Sequence, residues 1–425
     1  MLKLSYKNYL LAVMVLVGVV SVLDRFVFAL VLEPIKADLN LTDSQLGLMT
    51  GIAFAAFYAV AGIPIARWAD TRNRIHLVTF TTGLLGVMLS LCSTVTSFFQ
   101  LLLLRAGIAV GEAGCMPVGQ SILAEYNDRA ERPKAMAIFA MFYPIAMIVG
   151  YLGGGWLVEA FGWRTTFLIL GVPALLTALL VKFTLKEPRA EQTKEQATPA
   201  PSLLSALKIL WRTPTFRHLM MAFCVTYFFL MGTNQWLAAF YMRNHSMGTA
   251  ELGAWLALCW GVFGIVGNYL GGYLATRYAA NRERLQLRCL ALIFILGGVV
   301  SAVVYLAPSQ SVSLIFVAFS AVIFTTCNGP SFSLVQSLVD ERLRSLALAI
   351  LLLFSNLVGL GFGPLAIGVA SDLLQPIYGD ESLRYALTFS TPGVIWIAYH
   401  YWMAGSTAEQ DIENTLSNGL NVQEA

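Results

Sequence analysis

Long apolar runs are the feature that most constrains how this chain can fold. A helix that crosses the bilayer core, which is about 30 Å thick, needs about 20 apolar residues. Twelve runs meet this length, at about 9–32, 45–66, 75–97, 99–124, 135–160, 164–184, 217–241, 252–276, 286–307, 312–338, 345–371 and 385–405. Only 12% of the 425 residues are charged, against about 25% in soluble proteins. We therefore predict an all-α integral membrane protein with twelve transmembrane helices, and exclude a soluble enzyme, a nucleic-acid binder and a disordered chain.

The loops between these spans are short, with one exception between spans 6 and 7. Residues 186–213 begin with a stretch rich in Pro, Thr, Gln and charge, which is typical of a linker. Their second part is expected to form a short amphipathic helix on the membrane surface. The sequence thus predicts an N-terminal six-helix half (1–185), a cytoplasmic linker (186–213), a C-terminal six-helix half (214–406) and a short cytoplasmic tail (407–425).

Basic residues are distributed unevenly between the two sides of these spans. Most of the 27 Lys and Arg residues fall on the side that holds both termini and the linker. Four fall on the opposite side: Lys36, Arg164, Arg243 and Arg384. The positive-inside rule therefore predicts that both termini are cytoplasmic. We expect a multi-pass monomer in a cell inner (plasma) membrane.

The two halves repeat each other at an offset of 212 residues. Asp128–Arg132 (DRAER), followed by Ala135, corresponds to Asp340–Arg344 (DERLR), followed by Ala347. Each segment joins the fourth span of its half to the fifth. Two related halves around a central site are a common plan among transporters, so the repeat predicts two pseudo-symmetric six-helix halves.

The loop after span 2 carries the first family resemblance. Its sequence ARWADTRNR, from Ala66 to Arg74, resembles the GxLADRxGR motif of the major facilitator superfamily. Asp70 and Arg74 match that motif, whereas Ala66, Thr71 and Asn73 depart from it. The resemblance implies the major facilitator fold, with gating roles for Asp70, Arg74 and Arg132. Asp70 would act as a cytoplasmic latch near the start of span 11.

Four further segments resemble the Spinster branch of that superfamily. They are VLDRFVFALVLEPIKADLNLTDSQLGLMTG (22–51), RAGIAVGEAG (105–114), DRAERPKAMAIF (128–139) and GYLGGG (150–155). All four lie in the first half, and the second half is similar only to the superfamily at large. Spinster proteins are associated with lysophospholipids and sphingolipids, so the resemblance implies an amphipathic anionic substrate.

Four strong charges lie deep inside spans: Asp24, Arg25, Arg105 and Glu112. Such charges are costly in the membrane and normally face a polar cavity or pair with each other. Arg105 and Glu112 are seven residues apart, which places them on one face of span 4 about 10 Å apart. The family fold implies that spans 1 and 4 line one cavity. A purely structural ion-pair cluster between these spans is the alternative interpretation.

The functional hypothesis assigns each charge a role. Asp24 is predicted to be the leading proton carrier, because desolvation favours the neutral form of a carboxyl group. Arg25 presents a planar donor fork to a phosphate or carboxylate. Glu112 pairs with Arg25 in one state and releases it on protonation or substrate binding. Arg105 occupies the position that the superfamily associates with proton transfer.

The second half offers uncharged polar candidates instead. Asn234, Gln235 and Trp236 in span 7 are predicted to contact substrate, although amides in spans also cross-link helices. Two details at the external side are expected to be structural. Glu33–Pro34 would end span 1, and Glu159 with Arg164 would form a surface pair.

These features predict a secondary active transporter that works by alternating access. Proton coupling and an amphipathic lipid anion form the leading hypothesis. A proton-linked symporter of a small organic anion, a multidrug exporter, and a non-transporting sensor with the same fold are the alternatives. The chain has no GxxxxGK[ST] phosphate loop, HExxH or GxSxG motif, so we predict neither an ATP-driven pump nor an enzyme. No cofactor or metal is predicted; the expected partners are a small-molecule or lipid substrate, protons and the bilayer.

Overall fold

The computed structural model describes residues 6–128, 131–187, 203–280, 282–339 and 344–423. These residues are nearly all helical and contain no strand. The first six spans consist of the helices Tyr6–Leu39, Asp43–Leu48, Met49–Ala53, Phe54–Thr71, Arg74–Cys92, Phe98–Ala113, Cys115–Tyr126, Arg132–Ala140 and Phe142–Thr184. A short helix, Leu203–Arg212, follows. The second six spans consist of Pro214–His245, Thr249–Leu256, Ala257–Phe263, Gly264–Tyr278, Glu283–Leu306, Gln310–Thr326, Asn328–Ser337, Arg344–Tyr378, Gly379–Glu381, Ser382–Ser390 and Gly393–Gln423.

Two helical stretches are long enough to cross a membrane twice. Ten stretches among the described residues are long and apolar enough to cross, and two of these, Arg132–Thr184 and Leu346–Glu413, contain 53 and 68 residues. At 1.5 Å per residue they measure about 80 and 100 Å, more than twice the bilayer core. The first breaks at Gly162 (φ +74°, ψ 167°) and the second at Gly379 (φ +56°), in the left-handed region that glycine enters freely. Each stretch therefore forms two spans, and the predicted twelve-helix fold is confirmed.

Span 1 extends beyond the predicted helix stop. The helix Tyr6–Leu39 runs through Pro34, so the prediction that Glu33–Pro34 ends it is wrong. Proline removes one backbone donor but leaves the later turns free to continue the helix. The helix ends instead before Asn40, whose φ of 51° is left-handed, a conformation that Asn tolerates at helix ends. Glu33 consequently lies on a helix, one and a half turns before its end.

The chain forms two compact units whose boundaries do not simply follow the linker. The first unit comprises Met1–Gln196 together with Leu237–Ala257, and the second comprises Ala197–Trp236 together with Leu258–Ala425. The end of span 7 and the start of span 8 thus pack with the first unit. The boundaries at the linker and tail stay predictions, and the helix of span 12 continues as far as Gln423.

The second unit has a continuous apolar core that also covers the end of the linker. Phe294 and Tyr401 stack at its centre, with ring centroids 5.2 Å apart. Leu210, from the short helix Leu203–Arg212, is buried in the same core, whereas Trp211 on that helix is exposed. A helix therefore forms at Leu203–Arg212 and packs Leu210 on the second unit, and its predicted position on the membrane surface stays a prediction.

Candidate functional site

Spans 1 and 4 hold two buried ion pairs in the first unit. Arg105 donates from Nη1 to Asp24 Oδ2 over 2.8 Å. Arg25 donates from Nε to Glu112 Oε2 over 3.0 Å. Asp24 is fully buried, and Arg105 and Glu112 each expose 3% of their surface. The structure therefore brings together all four charges that the sequence predicts deep in the spans.

Helix geometry explains why the charges pair in this way. Asp24 and Arg25 are neighbours on span 1, so their side chains point about 100° apart and reach different partners. Arg105 and Glu112 lie on one face of span 4, two turns apart. Asp24 and Arg25 consequently each meet one charge of opposite sign on span 4. The two ion pairs lie one above the other along that span.

The two ion pairs have no net charge together, but they differ in hydrogen bonding and in exposure. Asp24 Oδ1 and Arg105 Nε are buried, and neither has a hydrogen-bond partner among the described residues. The Arg25 side chain is 24% exposed, against 3% for its partner Glu112. Arg25 is thus the most exposed of the four charges, and Asp24 keeps one carboxylate oxygen without a donor among the described residues.

Phe54 links the two pairs, and sequence reasoning missed it. Its ring centroid lies 5.1 Å from the Arg25 guanidinium carbon and 4.9 Å from that of Arg105. Both distances are within the range of cation–π attraction. Phe54 follows the π-helical turn Met49–Ala53, which contains the non-helical Gly51. Such turns are frequent at functional sites, but nothing in the sequence distinguishes this Phe from the other 25.

Arg74, predicted as a gating residue, joins three parts of the first unit. Its side chain is fully buried and forms ion pairs with Glu125 and Glu187. Its Nη1 also donates to Ser121 Oγ over 2.9 Å. Arg74 therefore ties the start of span 3 to the end of span 4 and to the chain just after span 6.

The other two predicted gating residues are placed differently. Arg132 donates from Nε to the backbone oxygens of Ala124 (2.8 Å) and Asn127 (3.1 Å), which ties the start of span 5 to the end of span 4. Asp70 belongs to the helix Phe54–Thr71, but its side chain lies outside the described part of the structure. Its role as a latch stays a prediction.

The three polar candidates of span 7 differ in their surroundings. Trp236 is fully buried and donates from Nε1 to the backbone oxygen of Pro364 over 2.9 Å. Asn234 and Gln235 are partly exposed, and Gln235 Nε2 is a buried donor without a partner in the described part of the chain. Trp236 thus ties span 7 to span 11, whereas Gln235 retains a free donor.

The predicted surface pair of Glu159 and Arg164 does not form. Arg164 pairs with Asp38 and also donates to the backbone oxygen of Val95 over 2.9 Å. The Glu159 carboxylate accepts instead from the backbone N–H of Ala250 over 2.8 Å. The glycine break at position 162 redirects the chain between the two side chains, so each meets a residue distant in sequence.

The fold and the buried charges together identify a class of membrane transporter. Residues 14–364 match the family model of the Major Facilitator Superfamily. The match covers most of the chain, and the chain belongs to this superfamily.

Known relatives place the chain in the Spinster-like branch. A bacterial homolog of the human lysosomal transporter Spinster, in an inward-facing and unoccupied conformation, superposes with a TM-score of 0.85 at 26% identity; the match covers 96% of this chain and 99% of that one. Protein spinster homolog 1 of Xenopus laevis is 25% identical, over 90% of this chain and 78% of that protein. An MFS-type efflux pump of Mycolicibacterium smegmatis is 30% identical, over 94% of this chain and 93% of that protein. The chain is therefore a multi-pass transporter of the Spinster-like type.

Proposed function

We propose that this protein is a proton-coupled secondary transporter that moves an amphipathic anion, such as a lysophospholipid or a sphingolipid, by alternating access. The observation that carries the proposal is the pair of stacked ion pairs, in which the Arg25 guanidinium is partly exposed and one Asp24 oxygen has no donor in the described part of the chain. Arg25 supplies the anion-binding group, and Asp24 and Glu112 supply the proton-binding groups.

The ion pair of Arg25 and Glu112 can couple the binding of an anion to the binding of a proton. An anionic head group that binds Arg25 competes with Glu112, because both use the same guanidinium fork. A Glu112 carboxylate that loses its partner is a buried, uncompensated charge, which costs about 3–5 kcal/mol. Uptake of a proton by Glu112 removes that cost. Anion binding and proton binding therefore favour each other at this pair.

Asp24 provides a second proton-binding group on the same face. Its Oδ2 is held by Arg105, while its Oδ1 has no donor among the described residues. A proton on Oδ1 would weaken the ion pair with Arg105 without moving either helix. Through the ring of Phe54, which both guanidinium groups approach, a change in one pair alters the electrostatic environment of the other.

A transport assay with the purified protein in liposomes tests the proposal. Flux of a fluorescent lysophospholipid would be measured at imposed inside-acid and inside-alkaline gradients, for the wild type, Asp24→Asn and Arg25→Ala. We expect wild-type flux to follow the gradient, Asp24→Asn to lose this dependence, and Arg25→Ala to lose flux. Arg164→Ala, which removes an external arginine outside the site, is the matched control. Wild-type flux that ignores the pH gradient would contradict proton coupling.

A small organic anion is the second candidate substrate. It is favoured by the names of two relatives: a cis,cis-muconate transport protein of Acinetobacter baylyi, 26% identical over 60% of this chain, and a probable sulfoacetate transporter of Cupriavidus necator, 25% identical over 92%. The same assay with a dicarboxylate distinguishes the two. Movement of the dicarboxylate without movement of the lipid would replace the lipid proposal and keep Arg25 as the anion-binding group.

A further inference from the structure

Two histidines of the second unit contact each other where spans 7 and 12 meet. His218, near the start of span 7, and His400, on span 12, place their Nδ1 atoms 3.0 Å apart. Their ring centroids are 5.3 Å apart. Trp396, one turn before His400 on span 12, donates from Nε1 to His400 Nε2 over 2.9 Å. One indole and two imidazoles therefore follow one another in a single hydrogen-bonded chain.

The positions of the ring protons follow from this chain. An indole N–H can only donate, so His400 Nε2 accepts and carries no proton. The single ring proton of a neutral His400 is consequently on Nδ1, which donates to His218 Nδ1. His218 then carries its own proton on Nε2. The hydrogen bonds thus fix one tautomer for each histidine, with both rings neutral.

An additional proton breaks the chain wherever it binds. A charged imidazolium has an N–H group at both ring nitrogens and accepts no hydrogen bond. On His400, the new N–H faces the indole N–H of Trp396. On His218, it faces the N–H of His400, and a change of tautomer in His400 only moves the conflict to Trp396. One added proton therefore removes one of the two hydrogen bonds in every arrangement.

The charged groups around the two histidines do not compensate an added positive charge. Arg217 precedes His218 on span 7 and is itself positive. On span 12, the Tyr399 ring centroid lies 5.2 Å from that of His400. Span 11 has no charged residue between positions 345 and 371. Further charged groups on spans 9 and 12 are engaged elsewhere: Arg288 with Trp402, Arg284 with Glu409, and Asp411 with Thr215.

The two histidines belong to a polar face along which spans 7 and 12 are joined. Thr215, one turn before His218, donates from Oγ1 to Asp411 Oδ2 over 2.6 Å. Its hydroxyl also lies 2.6 Å from that of Thr407. Positions 407 and 411 are seven and eleven residues after His400, which places all three on one face of span 12. Histidine is the side chain that ordinarily changes charge between about pH 5 and 8, so a proton in this range acts on the histidine contact.

The surroundings of the two histidines are typical of the boundary between bilayer and water. Trp396, Tyr399 and Trp402 are exposed on span 12, and tryptophan and tyrosine are enriched at that boundary. Arg217 is exposed on span 7, and both histidines are only partly buried. Protons from solution can therefore reach the rings without crossing the apolar core of the membrane.

We infer that His218 and His400 form a proton-binding switch in the second unit, which ties spans 7 and 12 together while both rings are neutral and releases this tie when one proton binds. The inference does not depend on the transport function proposed above, because it concerns a contact between two helices of one unit. The switch is also separate from the proposed coupling groups, Asp24 and Glu112, which lie in the first unit. It responds to the pH on the side of the membrane where span 7 begins, and not to a pH gradient.

The two tautomers provide the first test. The chain has four histidines, so the full-length protein labelled with ¹⁵N-histidine gives few ring signals in detergent micelles. At about pH 8 we expect the proton of His400 on Nδ1 and that of His218 on Nε2, each assigned by the signals lost in His400→Gln and His218→Gln. Trp396→Phe removes the donor to His400 Nε2 and should reduce the Nδ1-protonated form of His400 at least about fivefold. A wild-type His400 with its proton on Nε2 would overturn the inference.

The response to pH provides the second test. On acidification from about pH 8 to about pH 5, the ring signals of both histidines and the indole N–H signal of Trp396 should move together. Over this range the melting temperature of the wild type should fall by about 2–4 °C more than that of His218→Gln or His400→Gln, in line with the loss of one hydrogen bond.

A matched control separates the switch from a general effect of acid. His76→Gln replaces an exposed histidine of the first unit and should behave like the wild type in both tests. A Trp396 signal that does not move with pH in the wild type would overturn the inference, and so would an equal fall in melting temperature in the wild type and both glutamine variants. If a glutamine variant fails to fold, the Trp396 signal of the wild type and the histidine tautomers in Trp396→Phe still decide the outcome.

Discussion

The two halves of this transporter repeat each other in chain topology but differ in the charges that their spans contain. The first half places Asp24, Arg25, Arg105 and Glu112 in its membrane interior and pairs them. The second half has polar but uncharged residues at its candidate positions, among them Asn234 and Gln235. The two halves of one fold thus differ in that the first carries paired charges among its spans and the second carries neutral polar side chains at its candidate positions.

The largest expected effect comes from removing one charge of the buried pair in the first half. Arg105→Met should lower the free energy of unfolding by about 3–5 kcal/mol, because Asp24 is left buried without compensation. Chemical denaturation in detergent measures this loss. The double variant Asp24→Asn/Arg105→Met should recover most of the stability, since no uncompensated charge remains. If Arg105→Met is as stable as the wild type, the ion pair of Asp24 and Arg105 is not needed to keep the first half folded.

A smaller effect is expected when Arg25 keeps its positive charge but loses the planar arrangement of its hydrogen-bond donors. Arg25→Lys should raise the apparent KM of transport about tenfold, because an ammonium group cannot bind an anion in bidentate fashion. Initial rates over a range of substrate concentrations measure this change. Arg164→Lys, which changes an exposed arginine paired with Asp38 outside the candidate site, serves as control and should leave KM unchanged. An unchanged KM in Arg25→Lys would remove Arg25 from the substrate site.

Phe54 tests whether the two ion pairs of the first half act together. Phe54→Leu should lower gradient-driven flux about fivefold, because each cation–π contact contributes about 0.5–2 kcal/mol. Phe54→Tyr keeps the ring and should stay within about twofold of the wild type. Parallel flux and unfolding measurements on both variants are needed. Equal flux in Phe54→Leu and Phe54→Tyr would indicate that the ring only fills space.

A substitution in the second half should have the smallest effect. It should change the apparent KM but not the dependence of flux on the pH gradient. Gln235→Ala should raise KM about threefold, in line with the loss of one hydrogen bond of about 1 kcal/mol or less, and should leave the dependence on the pH gradient intact. Flux at two opposite gradients checks both points. Loss of the gradient dependence would contradict the assignment of proton coupling to the first half.

The sequence predicts the spans and the buried charges because each depends on local rules. Twenty apolar residues are long enough to cross a bilayer, and an ionised residue within them stands out by its cost. Helix periodicity also indicates that Arg105 and Glu112 share a face. These arguments need only the order of residues within one helix.

Contacts between distant helices could not be predicted in the same way. From the sequence, Arg243 is only one of four basic residues on the side opposite the termini, yet it meets Asp43, 200 residues earlier. Glu159 was expected to pair with its neighbour Arg164, but the chain breaks at Gly162 between them. The importance of Phe54 depends on where two arginines from other parts of the chain approach it. Such contacts follow from packing, which the pattern of one chain does not specify.

The discontinuity of the first unit has a consequence for biosynthesis. Its last 21 residues, Leu237–Ala257, are translated only after the linker and most of span 7. Until then Tyr151 and Gly155 lack the close backbone contact that Gly253 makes with them, and Asp43 lacks its partner Arg243. Domains fold in order of synthesis where each is complete, but this one is not. The first six helices therefore cannot complete their native packing in the membrane until the seventh and eighth have been synthesised.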